Sequence, residues 1–148
     1  MDDQEKKVLK KFGERVGYSA ADLERFREGD FRVRHMKNLA EAAKHYSIVA
    51  EVVKSKHCNS LHKVGDRFVL DVDGNFINKL CPKRMCVYLI SQLLVPVAVI
   101  NERLSEGLEP HAFHFAHQVK CVDVGVECDG YGQVMLRVEV VPRDSTGR

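Results

Sequence analysis

The stretch Gln133-Val134-Met135-Leu136-Arg137-Val138-Glu139-Val140-Val141 decides the fold class. Its apolar residues recur at every second position. A period of two sends Val134, Leu136, Val138 and Val140 to one face and Arg137 and Glu139 to the other, which is the pattern of a half-buried strand. Immediately upstream, Asp129-Gly130-Tyr131-Gly132 is rich in turn formers. Before it, Val119 to Glu127 alternates again, with Val122, Val124 and Val126 on one face. Two alternating runs joined by a glycine-rich turn predict a β-hairpin.

Further upstream, Tyr46-Ser47-Ile48-Val49-Ala50-Glu51-Val52-Val53 is short and β-branched, a strand signal. Lys54 to Gly65 is polar and is expected as a loop. Asp66 to Val72 alternates, with Phe68, Leu70 and Val72 on one face, and Asp73-Gly74-Asn75 supplies a turn. Between the two strand pairs lies an apolar stretch that begins after Cys81-Pro82. Proline suits the first turn of a helix, so a long helix is expected from there to Ile100 or Leu104, with a kink at Pro96. The order predicts an α+β fold: a mostly antiparallel sheet of about four strands packed on a long helix.

Residues 1–45 differ in character. They hold 20 of the 44 charged side chains, 11 basic and 9 acidic, and are expected to form a charged N-terminal helical arm beside an α+β unit at 46–148. Val8, Phe12 and Val16 stand four apart, a narrow helical stripe that Gly17 and Tyr18 interrupt. Ser19-Ala20-Ala21-Asp22 has the form of a capping box, with Leu23 and Phe26 facing inward from a second, short helix. Gly29 and Asp30 end that helix, and a third is expected from about Arg34 to His45. The arm is the expected docking surface for a protein partner.

The chain has 148 residues, 45% apolar and 30% charged, with a net charge of +2. That length buries one core without a disulfide framework. The balanced charge argues against nucleic acid or a membrane surface as partner. The N-terminal Met1-Asp2-Asp3-Gln4-Glu5 is acidic where a secretory leader is basic. The apolar run Met85 to Ile100 is interrupted by Ser91, Gln92 and Pro96 and is shorter than the roughly 20 residues that span a bilayer. A core helix, no membrane and a cytoplasmic location are therefore expected. In that reducing compartment the five cysteines, Cys58, Cys81, Cys86, Cys121 and Cys128, are expected as thiols or metal ligands.

Thiolates and imidazole are the donors that zinc and iron–sulfur clusters take. Cys58 and His62 are four apart in the polar loop, Cys81 sits at the expected helix N-cap, and Cys121 points away from the Val122 row. Together they form a candidate Cys3His set drawn from three elements. No C-x-x-C pair is present. A helix N-terminus favours a thiolate, so Cys81 is also a candidate nucleophile, with His62 or His114 as base. A third reading leaves all the cysteines inert within a structural or interaction module.

The run His57-Cys58-Asn59-Ser60-Leu61-His62-Lys63-Val64-Gly65-Asp66-Arg67-Phe68, followed by Cys81-Pro82 and then Cys121, resembles a small, largely uncharacterised prokaryotic family common in anaerobes. Its members carry a cysteine, then Gly-His-Lys-Val-Gly-Asp-x-Phe, then Cys-Pro opening a helix, then a cysteine in a late strand. The likeness covers Tyr46 to Val141, with Leu61 in place of the family's glycine. It implies that Cys58, His62, Cys81 and Cys121 belong together, with zinc or an iron–sulfur cluster as cofactor. It leaves Cys86 and Cys128 as extras: Cys86, five residues past Cys81 on the expected helix, is expected in the core, and Cys128, beside the Asp129-Gly130 turn, as an exposed thiol or substitute ligand. The expected function is that of a small metal-binding accessory subunit in anaerobic metabolism.

Other candidates rank lower. His111, His114 and His117 recur every third residue and share a face only on a helix, which Glu109-Pro110 opposes. Asp66 beside Gly65 is expected to fix its turn through backbone hydrogen bonds, and Lys63 is expected to be solvated. Asp71 to Asn75 begins like a calcium loop, but Phe76 and Pro82 stand where glycine and glutamate are required. Phosphate loops, nucleophile elbows and H-E-x-x-H are absent.

Overall fold

The computed structural model describes residues 1–148. Helix α1, Asp3–Val16, opens on a capping box: the Asp2 carboxylate accepts from the Glu5 N–H, and Glu5 reaches back to the Asp2 N–H. Gly17, at φ 83°, closes it in the left-handed conformation that glycine adopts without Cβ crowding. Helix α2, Ala20–Leu23, carries the capping box expected from Ser19 and Asp22. Helix α3, Phe31–His45, starts three residues earlier than expected, because the Asp30 carboxylate caps the Arg32 N–H and pairs with the Arg32 guanidinium.

The sheet consists of β1 (Tyr46–Lys56), β2 (Arg67–Leu70), β3 (Gln118–Lys120) and β4 (Gln133–Pro142). The strand order is β2-β1-β4-β3, and every pair is antiparallel. The expected α+β architecture is thus present. β1 continues three residues into the stretch expected as a loop, because a register shift between Val52 and Lys54 lets it follow β4 to the end. That shift keeps Val52 opposite Leu136 and then sets Ser55 opposite Val134.

The late hairpin differs from expectation. β3 is only three residues long, and Val126–Cys128 forms a 3-10 turn. Val122, Val124 and Val126 are exposed, while Val119 and Cys121 pack toward the core. The alternation in Val119 to Glu127 was real, but the opposite face turns inward: Val119 lies opposite Leu136 and Cys121 opposite Val134.

The long helix also begins later than expected. Cys81 follows a 3-10 turn, Asn78–Leu80, and α4 spans Val87–Ile90 with Cys86 as its N-cap. A second 3-10 turn, Ser91–Leu93, leads into α5, Leu94–Ser105. Pro96, the third residue of α5, has no N–H for the preceding turn, which accounts for the tightening just before it. By length and composition Val87–Ser105 could cross a membrane. In this fold its Leu89, Leu93, Ile100 and Leu104 join Ile48, Ala50, Phe68, Leu70, Leu136 and Val138 in the core. Leu39 and Ala42 of α3 pack into the same core, while Leu9, Phe26 and Val33 form a small second cluster.

Candidate metal centre

The segment after β1 folds back so that His62 lands on the core. His57 and Leu61 both adopt positive φ, 54° and 61°. The Leu61 N–H closes a turn onto the Cys58 carbonyl at 3.0 Å. Leu61 thus holds a left-handed backbone conformation that a residue with a Cβ seldom adopts. The Ser55 hydroxyl donates to the His62 carbonyl at 2.5 Å. Asp66 does fix the next turn, accepting from the Lys63 N–H at 3.0 Å.

His62 is 4% exposed. Its ring meets Phe68 edge-on at 5.3 Å. Its Nδ1 lies 3.7 Å from Asp66 Oδ2, and its Nε2 is buried with no hydrogen-bond partner. A buried polar atom left without a partner costs about 1–3 kcal/mol. The orphan is therefore a feature that a ligand would repair.

Four of the five cysteines touch the main core. Cys58, Cys81 and Cys86 are half-buried against the main cluster, and Cys121 belongs to it. Cys121 extends the β3 ladder: its N–H donates to the Val134 carbonyl, and its Sγ accepts from the Val134 N–H at 3.3 Å. Because Ser55 also faces Val134 across the sheet, Cys121 and the His62 loop stand one strand to either side of Val134. The Val122 N–H donates to the Tyr88 carbonyl at 3.3 Å, tying the segment after Cys86 to the residue after Cys121.

Cys81 departs from expectation. It caps no α-helix, and its thiol donates to the Val69 carbonyl at 3.5 Å. Burial pushes this thiol above its ordinary value of 9.0, against a smaller lowering from the Val69 contact. Activation by a helix dipole, which the nucleophile reading required, is not what this environment supplies. Cys86 holds the N-cap position instead, and its side chain makes no capping bond. Cys128 is exposed. Cys58, Cys81, Cys86 and Cys121 border one core, but no three His, Cys, Asp or Glu side chains are gathered into a metal-holding group.

The three later histidines have separate roles. His111 Nε2 accepts the Val140 N–H at 2.9 Å, and its Nδ1 lies 3.3 Å from Glu109 Oε1. This gives β4 a partner beyond the end of β3. His117 stacks on Phe113 with ring centroids 4.2 Å apart, and its Nε2 meets the Phe113 carbonyl. His114 is exposed beside Phe115. No helix forms there, so the three share no face.

Sequence reading overlooked Asp123. Its carboxylate accepts from the N–H groups of Gly132 (2.9 Å), Tyr131 (3.0 Å) and Gly125 (3.1 Å), which draws the 121–132 loop together. Those bonds, Gly132's foremost, hold its carboxyl below the ordinary 3.8. The available signal was an aspartate two residues before a glycine in a turn-rich stretch.

Comparisons with protein-family models, with curated proteins and with solved structures returned no match to this chain.

Proposed function

We propose that this chain is a small metal-binding protein, with zinc or an iron–sulfur cluster held by the imidazole of His62 and the sulfurs of Cys58, Cys81 and Cys121. The observation that carries this reading is the buried His62 with its orphaned Nε2. A ligating histidine commonly directs its other ring nitrogen toward a carboxylate, which fixes the tautomer and frees the ligating lone pair. Asp66 stands on that side of the His62 ring. The Val134 N–H aimed at Cys121 Sγ is a second support, because hydrogen bonds to ligating sulfurs orient and tune metal sites.

The bound metal would tie the loop after β1, the turn before α4 and the end of β3 to one another. On this reading the chain is a cytoplasmic accessory subunit. The exposed charged face of α1, with Lys6, Lys7, Lys10 and Lys11, is then its docking surface for a partner protein.

The test is elemental analysis of protein purified without oxygen, together with its ultraviolet–visible spectrum. Stoichiometric zinc with no visible absorption, or iron with sulfide and a visible chromophore, supports the proposal and separates its two forms. His62→Ala and Cys121→Ser should each reduce the bound metal several-fold. Wild-type protein holding neither metal, even after reconstitution, would refute it.

A further inference from the structure

The outward face of the sheet changes character along its length. At one end Glu51, Arg67, Arg137 and Glu139 satisfy one another. Glu51 lies 3.8 Å from Arg67 Nε and 3.7 Å from Arg137 Nη2, and Arg137 Nε is 3.3 Å from Glu139 Oε1. At the other end the register gathers cations. Lys54 of β1 and Lys120 of β3 both stand opposite Met135 of β4, one on each side of it, and Lys56 stands opposite Gln133. Cross-strand partners share a face, so the three lysines project from the same side of the sheet. Lys56 pairs with Glu127, whereas Lys54 and Lys120 are exposed and pair with no carboxylate.

Lys54 and Lys120 are two strand spacings apart, about 10 Å at the backbone. That is about one Debye length at 0.1 M salt, so their repulsion is only partly screened. The register shift between Val52 and Lys54 leaves Val53 without a partner on β4, beside a hollow of about 420 Å³. Val53, Val64 and Met135 give the hollow an apolar lining, and Lys54, Lys56 and Lys120 a charged one. Neither a carboxylate nor an aromatic ring lines it. Its size is at the lower end of small-molecule sites.

This chemistry selects the ligand. Lysine binds phosphate as a point charge, without the planar fork that arginine offers a carboxylate. A phosphomonoester carries a charge of about −1.5 to −2 at neutral pH, which matches two unpaired ammonium groups. Lysine stems lie along apolar surface while their charged ends stay at the rim. A single-stranded nucleic acid finds no ring here on which to stack a base.

We propose that this hollow binds a small, water-soluble organic phosphate, with its phosphoryl group between Lys54 and Lys120 and its apolar part on Met135, Val53 and Val64. Neither lysine is among the donors proposed for the metal.

Phenyl phosphate is the probe, titrated into the full chain at low salt by calorimetry and by amide-resolved NMR. A dissociation constant below about 1 mM is expected, rising with salt. Amide shifts should centre on Lys54, Lys56, Val64, Lys120 and Met135. Replacing both lysines, Lys54→Ala with Lys120→Ala, should weaken binding about tenfold or more. Circular dichroism should be unchanged, since both side chains are exposed. Lys83→Ala, on an exposed residue outside the hollow, should leave the affinity unchanged. Inorganic phosphate, which lacks the apolar part, should bind several-fold more weakly. The wild-type shift map serves if the double variant fails to fold. Wild type that does not bind phenyl phosphate overturns the proposal, as do shifts centred elsewhere, indifference to the double substitution or equal affinity for inorganic phosphate. A chain that ignores phenyl phosphate but binds phosphatidic-acid vesicles or oligothymidylate through these lysines likewise overturns it, and gives them to a lipid surface or to nucleic acid.

Discussion

Leu61 offers a direct test of the loop that carries His62. Its φ of 61° lies in the left-handed region, and its side chain is 72% exposed. That conformation costs a residue with a Cβ about 1–2 kcal/mol, and glycine relieves it. Glycine also makes the unfolded chain freer, which takes back about 0.4–1 kcal/mol. An exposed leucine loses little burial on removal, so Leu61→Gly should stabilise the fold by about 0.5–1 kcal/mol. For a chain of this size that corresponds to a rise in Tm of about 2–3 °C. Urea unfolding followed by circular dichroism reads it as a higher midpoint with an unchanged slope. A variant less stable than wild type would show that the Leu61 side chain makes a contact the loop depends on, and the strain argument would fail.

Other outcomes follow from the same geometry. Gly132→Ala should destabilise by about 2 kcal/mol or more, since a Cβ there runs into the backbone of Lys56 and His57. Thermal unfolding checks it. Asp123→Ala should lower Tm at neutral pH by releasing three backbone N–H groups. Because the folded carboxyl is held below its unfolded value of 3.8, this stabilisation is whole above that value and is lost as pH falls through the folded one. The gap between wild type and variant should therefore close in acid. In metal-free protein, Cys128 should alkylate first and Cys121 last, by mass-resolved labelling, following exposure. For Cys81 the sign is reversed: its folded value is raised, so its contribution to stability is intact below about pH 9 and declines as pH rises further. Alkaline unfolding of wild type against Cys81→Ala checks that sign.

Local chemistry made much of this molecule readable from its residues. Period-two alternation marked β4, the Ser19–Asp22 capping box marked α2, and Asp66 beside Gly65 marked a turn that the carboxylate does close. These signals depend on neighbours within a few positions, so the chain states them directly. The choice between two faces does not. The Val122, Val124 and Val126 face carries more apolar side chains than the Val119 and Cys121 face, yet pairing with Leu136 and Val134 turned Cys121 inward. Likewise Cys81-Pro82 has the form of a helix start, yet the chain reaches Val87 before the core offers α4 a surface for Leu89.

The candidate centre shows the same division. The sequence by itself determined which donors exist, in what order, and that sulfur and imidazole are the chemistry available. Tertiary structure decided that His62 is buried with a bare nitrogen, that an amide points at Cys121, and that Cys81 is held as a thiol. Desolvation and hydrogen bonding at these donors are set by contacts with Phe68, Val134 and Val69, which no ligand-spacing rule contains.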